Sequence, residues 1–155
     1  MTTGASPIRV LLADDHTVVR KGIRGFLEEE GIVVVGEAGD GREALRLVGE
    51  LQPDVAVLDI QMPMMTGIEA TREIKTRFPG IRVLVLTAYD NDPYVFALLQ
   101  AGADGYVLKT ADAEDLVRAV RAVHRGGSAL APEITAKVLR HVATGRPAGA
   151  QSQVE

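Results

Sequence analysis

Asp14, Asp15, Asp59, Thr87 and Lys109 are the residues whose types and positions suit phosphoryl chemistry, because each closes an apolar run of the chain. In Val55-Ala-Val-Leu-Asp59, for example, a buried-looking strand runs straight into a carboxylate. Taken singly, each has a plainer explanation. Asp caps helices and closes turns, Thr is at home in strands, and a loop Lys is ordinarily a solvated charge. Taken together they are costly, since like charges about 4 Å apart repel by roughly 4 kcal/mol at an effective dielectric of about 20. Such a cluster calls for a counterion. The available donor atoms are oxygens, which suits a hard cation such as Mg2+ held by one or two carboxylates, water and a substrate phosphate. A carboxylate beside that ion is a competent nucleophile toward phosphorus. Phosphoryl transfer asks mainly for alignment and charge neutralisation, which a lysine and a metal on opposite sides of the equatorial oxygens supply.

These side chains meet only if the elements carrying them lie side by side. Runs rich in Val, Ile and Leu recur at 8–13, 32–37, 55–58, 82–86 and 106–108, with helical patterns between them, which is the alternation of βα units on a parallel sheet. Val19, Ile23, Phe26 and Leu27 give the first helix its apolar stripe, and Gly31 ends it. Asp40-Gly-Arg-Glu43 and Thr66-Gly-Ile-Glu69 place a capping residue three positions ahead of Glu. Asp92-Pro93 sets a capping residue before a proline at the first helical position, and Asp112 opens a segment whose Leu116, Ala119, Val120 and Val123 share a face before Gly126-Gly127 stops it. Five strands, five helices and short connections predict a doubly wound α/β sheet of flavodoxin-like order 2-1-3-4-5. In that order the first, third, fourth and fifth strands are neighbours. Their carboxyl ends, where the crevice of such sheets lies, bring Asp14-Asp15, Asp59, Thr87 and Lys109 to one mouth.

Bulk properties narrow the function. A chain of 155 residues, 46% of them hydrophobic, fits one compact domain with a short appendage. Its formal net charge of -4 lacks the basic footprint of a nucleic-acid-binding surface, so direct nucleic-acid binding by this segment is not expected. The absence of cysteine excludes disulfides and thiolate metal sites. No apolar run approaches the roughly 18 residues of a membrane helix, and residues 1–7 lack a signal-peptide pattern; the expected location is cytoplasmic, with no membrane contact.

The segments Leu11-Leu-Ala-Asp14-Asp15-His16, Leu58-Asp59-Ile-Gln-Met-Pro63 with Gly67 behind it, Leu86-Thr87-Ala88 and Gly105-Tyr-Val-Leu-Lys109 together resemble the receiver domains of two-component response regulators. The resemblance covers about residues 7 to 125, and the ordered combination is specific even though each fragment alone is weak. Asp15-His16, Ala101-Gly-Ala-Asp-Gly-Tyr106 and the segment after Gly126-Gly127 are most similar to NarL/FixJ-type regulators, in which a LuxR-type helix-turn-helix DNA-binding domain follows the receiver.

The resemblance implies a CheY-like fold and a signalling switch, not an enzyme beyond catalysing its own phosphorylation and dephosphorylation. It makes Asp59 the phosphoacceptor and gives Mg2+ to Asp15, Asp59 and the backbone carbonyl of Gln61, with Asp14 acting mostly through a metal-bound water. Lys109 pairs with the carboxylate and then with the phosphoryl group, while Thr87 hydrogen-bonds a phosphoryl oxygen. The arriving group adds about -1.5 to -2 charges, draws Thr87 inward, and lets Tyr106 turn inward behind it. Gln61 and Tyr89 flank the path of the attacking water and tune dephosphorylation. The implied partners are a sensor histidine kinase and, on phosphorylation, a second copy of the chain. DNA and transcription are reached through the helix-turn-helix domain.

Residues 1–7 are expected as an N-terminal tail, 8–126 as the receiver, and 127–155 as a linker. Within that linker Ile134, Val138 and Val142 predict a helix over 131–142, followed by a flexible tail from Thr144. The chain stops near where the DNA-binding domain would begin, so a receiver-and-linker segment is expected, with a free-standing receiver acting by protein–protein interaction as the alternative. Met64 stands where receivers often have Gly and Thr66 where they often have Asp, a loop variation that leaves the chemistry intact. Thr110 follows Lys109 where many have Pro, so no cis bond is assumed there. A Mg2+-dependent phosphohydrolase with an aspartyl nucleophile is disfavoured, because Asp59 is followed by Ile60-Gln61 with no second carboxylate placed to protonate a leaving group. Gly36-Glu-Ala-Gly39-Asp-Gly41 does not spell a dinucleotide fingerprint. His16, His124 and His141 have no metal-ligand spacing and are expected on the surface or in packing.

Overall fold

The structure is a computed structural model that describes residues 6–87, 92–109, 112–127 and 129–130, with the side chains of 92–95, 129 and 130 left out. Among the described residues six strands alternate with five helices: β1 (Arg9–Ala13), α1 (Thr17–Glu29), β2 (Val33–Ala38), α2 (Gly41–Leu51), β3 (Val55–Asp59), α3 (Gly67–Arg77), β4 (Arg82–Thr87), α4 (Asp92–Ala101), β5 (Gly105–Leu108), α5 (Ala113–His124) and β6 (Ala129–Leu130). The sheet is parallel throughout, in the order β2-β1-β3-β4-β5-β6. The expected 2-1-3-4-5 core is present, and β6 extends it by one short strand. That strand falls in the segment assigned to the linker. Two residues are too few to show an alternation, so β6 left no pattern in the sequence. The expected helix over 131–142, the tail from Thr144 and residues 1–5 lie outside the described residues.

The strands read as near-continuous apolar runs because both sheet faces are covered. Successive residues alternate between two cores. Leu11, Ala13, Ala56, Leu58, Val83 and Val85 pack with Ala44 and Val48 of α2, Ala70 and Ile74 of α3 and Leu98 of α4. Val10, Leu12, Val55, Val57, Leu84 and Leu86 pack with Leu27 of α1 and Leu116, Val117, Val120 and Val123 of α5. Helices on both faces bury all five residues of β3, Asp59 included.

Local signals set the helix ends. The Asp40 side chain accepts from the Glu43 amide, and Thr66 with Glu69 forms a complete capping box. Gly31 and Gly126, at φ 85° and 92°, leave α1 and α5 in the left-handed region open to glycine. Asp112 precedes α5 without a side-chain capping bond, and α4 begins at Asp92, whose side chain lies outside the described atoms. Among the described residues no helix is long and apolar enough to cross a membrane.

Candidate functional site

Register aligns the strand ends that carry the chemistry. Ala13 pairs with Leu58, Asp59 with Leu86, and Thr87 with Leu108, so Asp14, Asp59, Thr87 and Lys109 emerge at the same edge of the sheet. The Lys109 amide donates to the Thr87 carbonyl at 2.6 Å, fastening the last two strand ends together. Asp14, Asp59 and Thr87 are buried, whereas Asp15, on the turn into α1, is exposed. Lys109 reaches into this pocket, and its Nζ lies 3.0 Å from Asp14 Oδ2 and 3.1 Å from Asp59 Oδ2.

The Asp59 contact is an aligned hydrogen bond. The Asp14 contact is an ionic approach off the hydrogen-bonding direction, and Asp14 Oδ2 is a buried oxygen without a hydrogen-bond partner. Burial pushes the Asp59 carboxyl above the ordinary Asp value, and the neighbouring Asp14 charge adds to the rise against the pull of Lys109. Burial alone would favour a neutral amine on Lys109, but the Asp14 and Asp59 carboxylates against its Nζ outweigh it and raise its pKa.

Asp14, Asp15, His16 and Asp59 each offer a ligand atom within 4.8 Å of the others. Three carboxylates face one ammonium group, and the buried Asp14 Oδ2 meets that ammonium without an aligned hydrogen bond. That donor set fits a hard divalent cation. A metal would satisfy the orphaned oxygen and offset the excess negative charge that Lys109 leaves.

His16 is the residue that spacing missed. Its side chain is exposed, as expected, yet Nδ1 lies 3.2 Å from both Asp14 Oδ1 and Asp15 Oδ1. The turn produces this contact, because the His16 amide donates to Asp14 Oδ1 at 2.9 Å and brings the ring back over the acids. The available clue was its position directly after Asp14-Asp15, not any repeat spacing.

The β3–α3 loop forms the other wall. The Gln61 amide approaches Asp59 Oδ1 at 3.4 Å, and Gln61, Met62 and Pro63 line a cleft of about 490 Å³ together with Asp15. Met64 adopts φ 71°, the left-handed conformation that ordinarily favours glycine. Gly67 is required for a different reason. A Cβ there would sit 2.4 Å from the Asp59 carbonyl oxygen and 2.7 Å from Ile60 Cα, so any side chain displaces the backbone that holds Asp59.

Tyr106 is fully buried in the α2–α3–α4 core, with its ring already in the inward position that the switch expectation assigned to it after phosphorylation. Ala88, Tyr89 and Thr110 lie outside the described residues.

A doubly wound sheet whose strand ends gather acids, a hydroxyl and a lysine defines an α/β domain built around a carboxylate-rich pocket. The chain belongs to the response regulator receiver domain family, whose sequence profile matches residues 10–121. It is 45% identical over 132 residues to the response regulator protein VraR of Staphylococcus aureus, covering 84% of this chain and 63% of that protein. It thus spans less than two thirds of these relatives. A two-component response regulator of the LuxR family from Aurantimonas sp. SI85-9A1 is 38% identical, with a TM-score of 0.84 over 89% of this chain and 99% of that one. The isolated receiver domain of RcsB from Salmonella enterica serovar Typhimurium, solved with phosphomimetic BeF3-, is 32% identical, with a TM-score of 0.76 over 83% of this chain and 96% of that one.

Proposed function

We propose that the chain is the phosphoacceptor switch of a two-component pathway, taking a phosphoryl group onto Asp59 from a sensor histidine kinase. The observation that carries this reading is the buried Asp59 carboxylate at the end of β3, hydrogen-bonded to Lys109 Nζ at 3.1 Å and crowded by Asp14. In the reaction a carboxylate oxygen of Asp59 forms the new bond to phosphorus as the donor's phosphorus–nitrogen bond breaks, and the electron pair leaves with the imidazole. Lys109 moves its charge from the carboxylate to a phosphoryl oxygen without leaving the pocket. Thr87, at the end of β4, offers its hydroxyl to another.

Asp15, Asp59 and the Gln61 carbonyl would hold Mg2+, with Asp14 behind a bound water. Bound there, the ion supplies charge neutralisation for the transferring group. Gln61 and Tyr89 tune the attack of water that reverses the modification.

Tyr106 couples the site to output. Its strand pairs with β4 through Val85 and with β6 through Leu130, so a shift of β5 is felt on both sides. The phosphorylated form pairs with a second copy of the chain and controls transcription through a LuxR-type DNA-binding domain, acting in the cytoplasm as a switch and not as an enzyme with an external product.

The test is intact-protein mass after incubation with acetyl phosphate and Mg2+. One added phosphoryl group is expected, absent from Asp59→Asn and from a chelated sample. An unlabelled wild-type chain, under conditions that label another receiver, would overturn the reading.

A further inference from the structure

We infer that Arg20 is a positioning residue for the metal-binding turn, gripping Asp14-Asp15 through the main chain while Glu37 holds the guanidinium in place. The inference rests on the Mg2+ reading above. Arg20 Nη1 donates to the Asp14 carbonyl at 2.6 Å, and Nε donates to Glu37 Oε1 at 2.8 Å. Both side chains are largely shielded, at 15% and 10% exposure, so the two bonds fix a guanidinium that has little room to move. Glu37 is in turn anchored on β2 by Lys21 Nζ at 3.1 Å and Arg24 Nη1 at 2.5 Å.

The grip matters because of what lies at the other end of the peptide. The Asp14 amide is tied to the Ala38 carbonyl at 3.0 Å, and its own carbonyl is tied to Arg20. The Asp14–Asp15 peptide is planar, so holding its oxygen fixes the Asp15 nitrogen and Cα, the base from which the Asp15 side chain leaves the turn. Asp15 needs such help more than its neighbours. It is the solvent-facing acid of the cluster, and Lys109 pairs with Asp14 and Asp59 instead. Partners that orient ligands in this indirect way are commonly worth about 10- to 100-fold in metal affinity.

Arg24 provides the control. It bonds the same Glu37 carboxylate and also Glu28, but it does not contact Asp14. Removing it loosens the same ion cluster without touching the turn.

The experiment is a Mg2+ titration of the chain, followed by amide chemical shifts, on wild type, Arg20→Ala, Arg20→Lys and Arg24→Ala, with thermal unfolding of each. Arg20→Ala is expected to raise the Mg2+ Kd by about tenfold, and Arg24→Ala to leave it within about twofold while lowering the unfolding midpoint. The acetyl phosphate labelling rate of Arg20→Ala should recover at saturating Mg2+, which general loss of structure would not allow. If Arg20→Ala does not fold, Arg20→Lys carries the test, since an ammonium group cannot hold both partners in the same geometry, and a higher Kd is again expected. Equal Kd shifts in the Arg20 and Arg24 variants, or no shift in either, would overturn the positioning role while leaving the Mg2+ site intact. A wild-type chain that binds no Mg2+ would remove the site and the inference together.

Discussion

Two clusters of charge at the ends of neighbouring strands have opposite balances. At the end of β2, the single carboxylate of Glu37 receives Arg20, Lys21 and Arg24. At the ends of β1 and β3, Asp14, Asp15 and Asp59 share Lys109. The first cluster lowers its acid to a pKa of about 2, since three cationic donors overcome the opposing effect of burial. The second raises the pKa of Asp59, because burial and a neighbouring negative charge outweigh one lysine. A saturated cluster stabilises a fold. An unsaturated one costs stability and can be completed by a ligand from outside, which is what makes the second cluster the candidate site.

The sharpest way to break this contrast is to reverse the sign of its effects on stability. Glu37→Ala leaves Arg20 and Arg24 facing each other without their shared acceptor, and should destabilise the chain by about 3 kcal/mol, measured by denaturant unfolding in chelating buffer. A loss no larger than that of an exposed ion pair would make the β2 cluster ornamental. Acid should act through the same group. A carboxyl whose folded pKa is depressed contributes stability above its unfolded value, near 4.5, and loses it as pH falls toward 2. About 2 kcal/mol of stability should therefore disappear across that window in wild type and be missing from Glu37→Gln, a figure below direct conversion of the shift because Lys21 and Arg24 are partly solvated. Parallel pH curves for the two proteins would show that Glu37 carries no such linkage.

In the acidic pocket the opposite sign is expected. Asp59→Asn removes a buried negative charge yet leaves Lys109 paired with Asp14, so without metal it should gain about 1 kcal/mol, or roughly 3 °C in midpoint, while losing the acceptor. Adding Mg2+ should raise the wild-type midpoint and leave that of the variant nearly unchanged, by mass action on a site that only the wild type completes. A destabilised Asp59→Asn in chelator would mean that the pocket is satisfied as it stands, and the contrast with Glu37 would collapse.

The two clusters also differ in how visible they were before the structure. Asp14, Asp59, Thr87 and Lys109 each end an apolar run, and the strand order that periodicity suggests brings run ends together, so the pocket was legible residue by residue. The side-chain cap at Asp40 and the capping box at Thr66 were legible for a similar reason, since they are local in sequence. The Glu37 cluster was not. It joins α1 to β2 across 13 to 17 residues, and long cations on a helix carry no signal that says which strand they will bend toward. The folding of His16 over the acids depends on a turn geometry, and β6 is too short to show a period. Sequence patterns thus report burial and local capping well, and report poorly which polar side chains meet across elements.

A third cluster sets the lower limit of the comparison. On the outer face of α2, Arg46 bonds Glu43 three residues before it and Glu50 four residues after it. By counting contacts alone this resembles the Glu37 cluster with the charges exchanged, and its carboxylates even raise the Arg46 pKa. Its surroundings are different, because Arg46, Glu43 and Glu50 are each more than a third exposed. Water screens such pairs and already satisfies their atoms in the unfolded chain, so the bonds replace hydration instead of rescuing buried groups. Arg46→Ala should therefore leave the unfolding midpoint and Mg2+ affinity at their wild-type values, and added salt should not alter that result. A midpoint drop comparable to that of Glu37→Ala would show that contact number governs these clusters; an unchanged midpoint assigns the difference to burial.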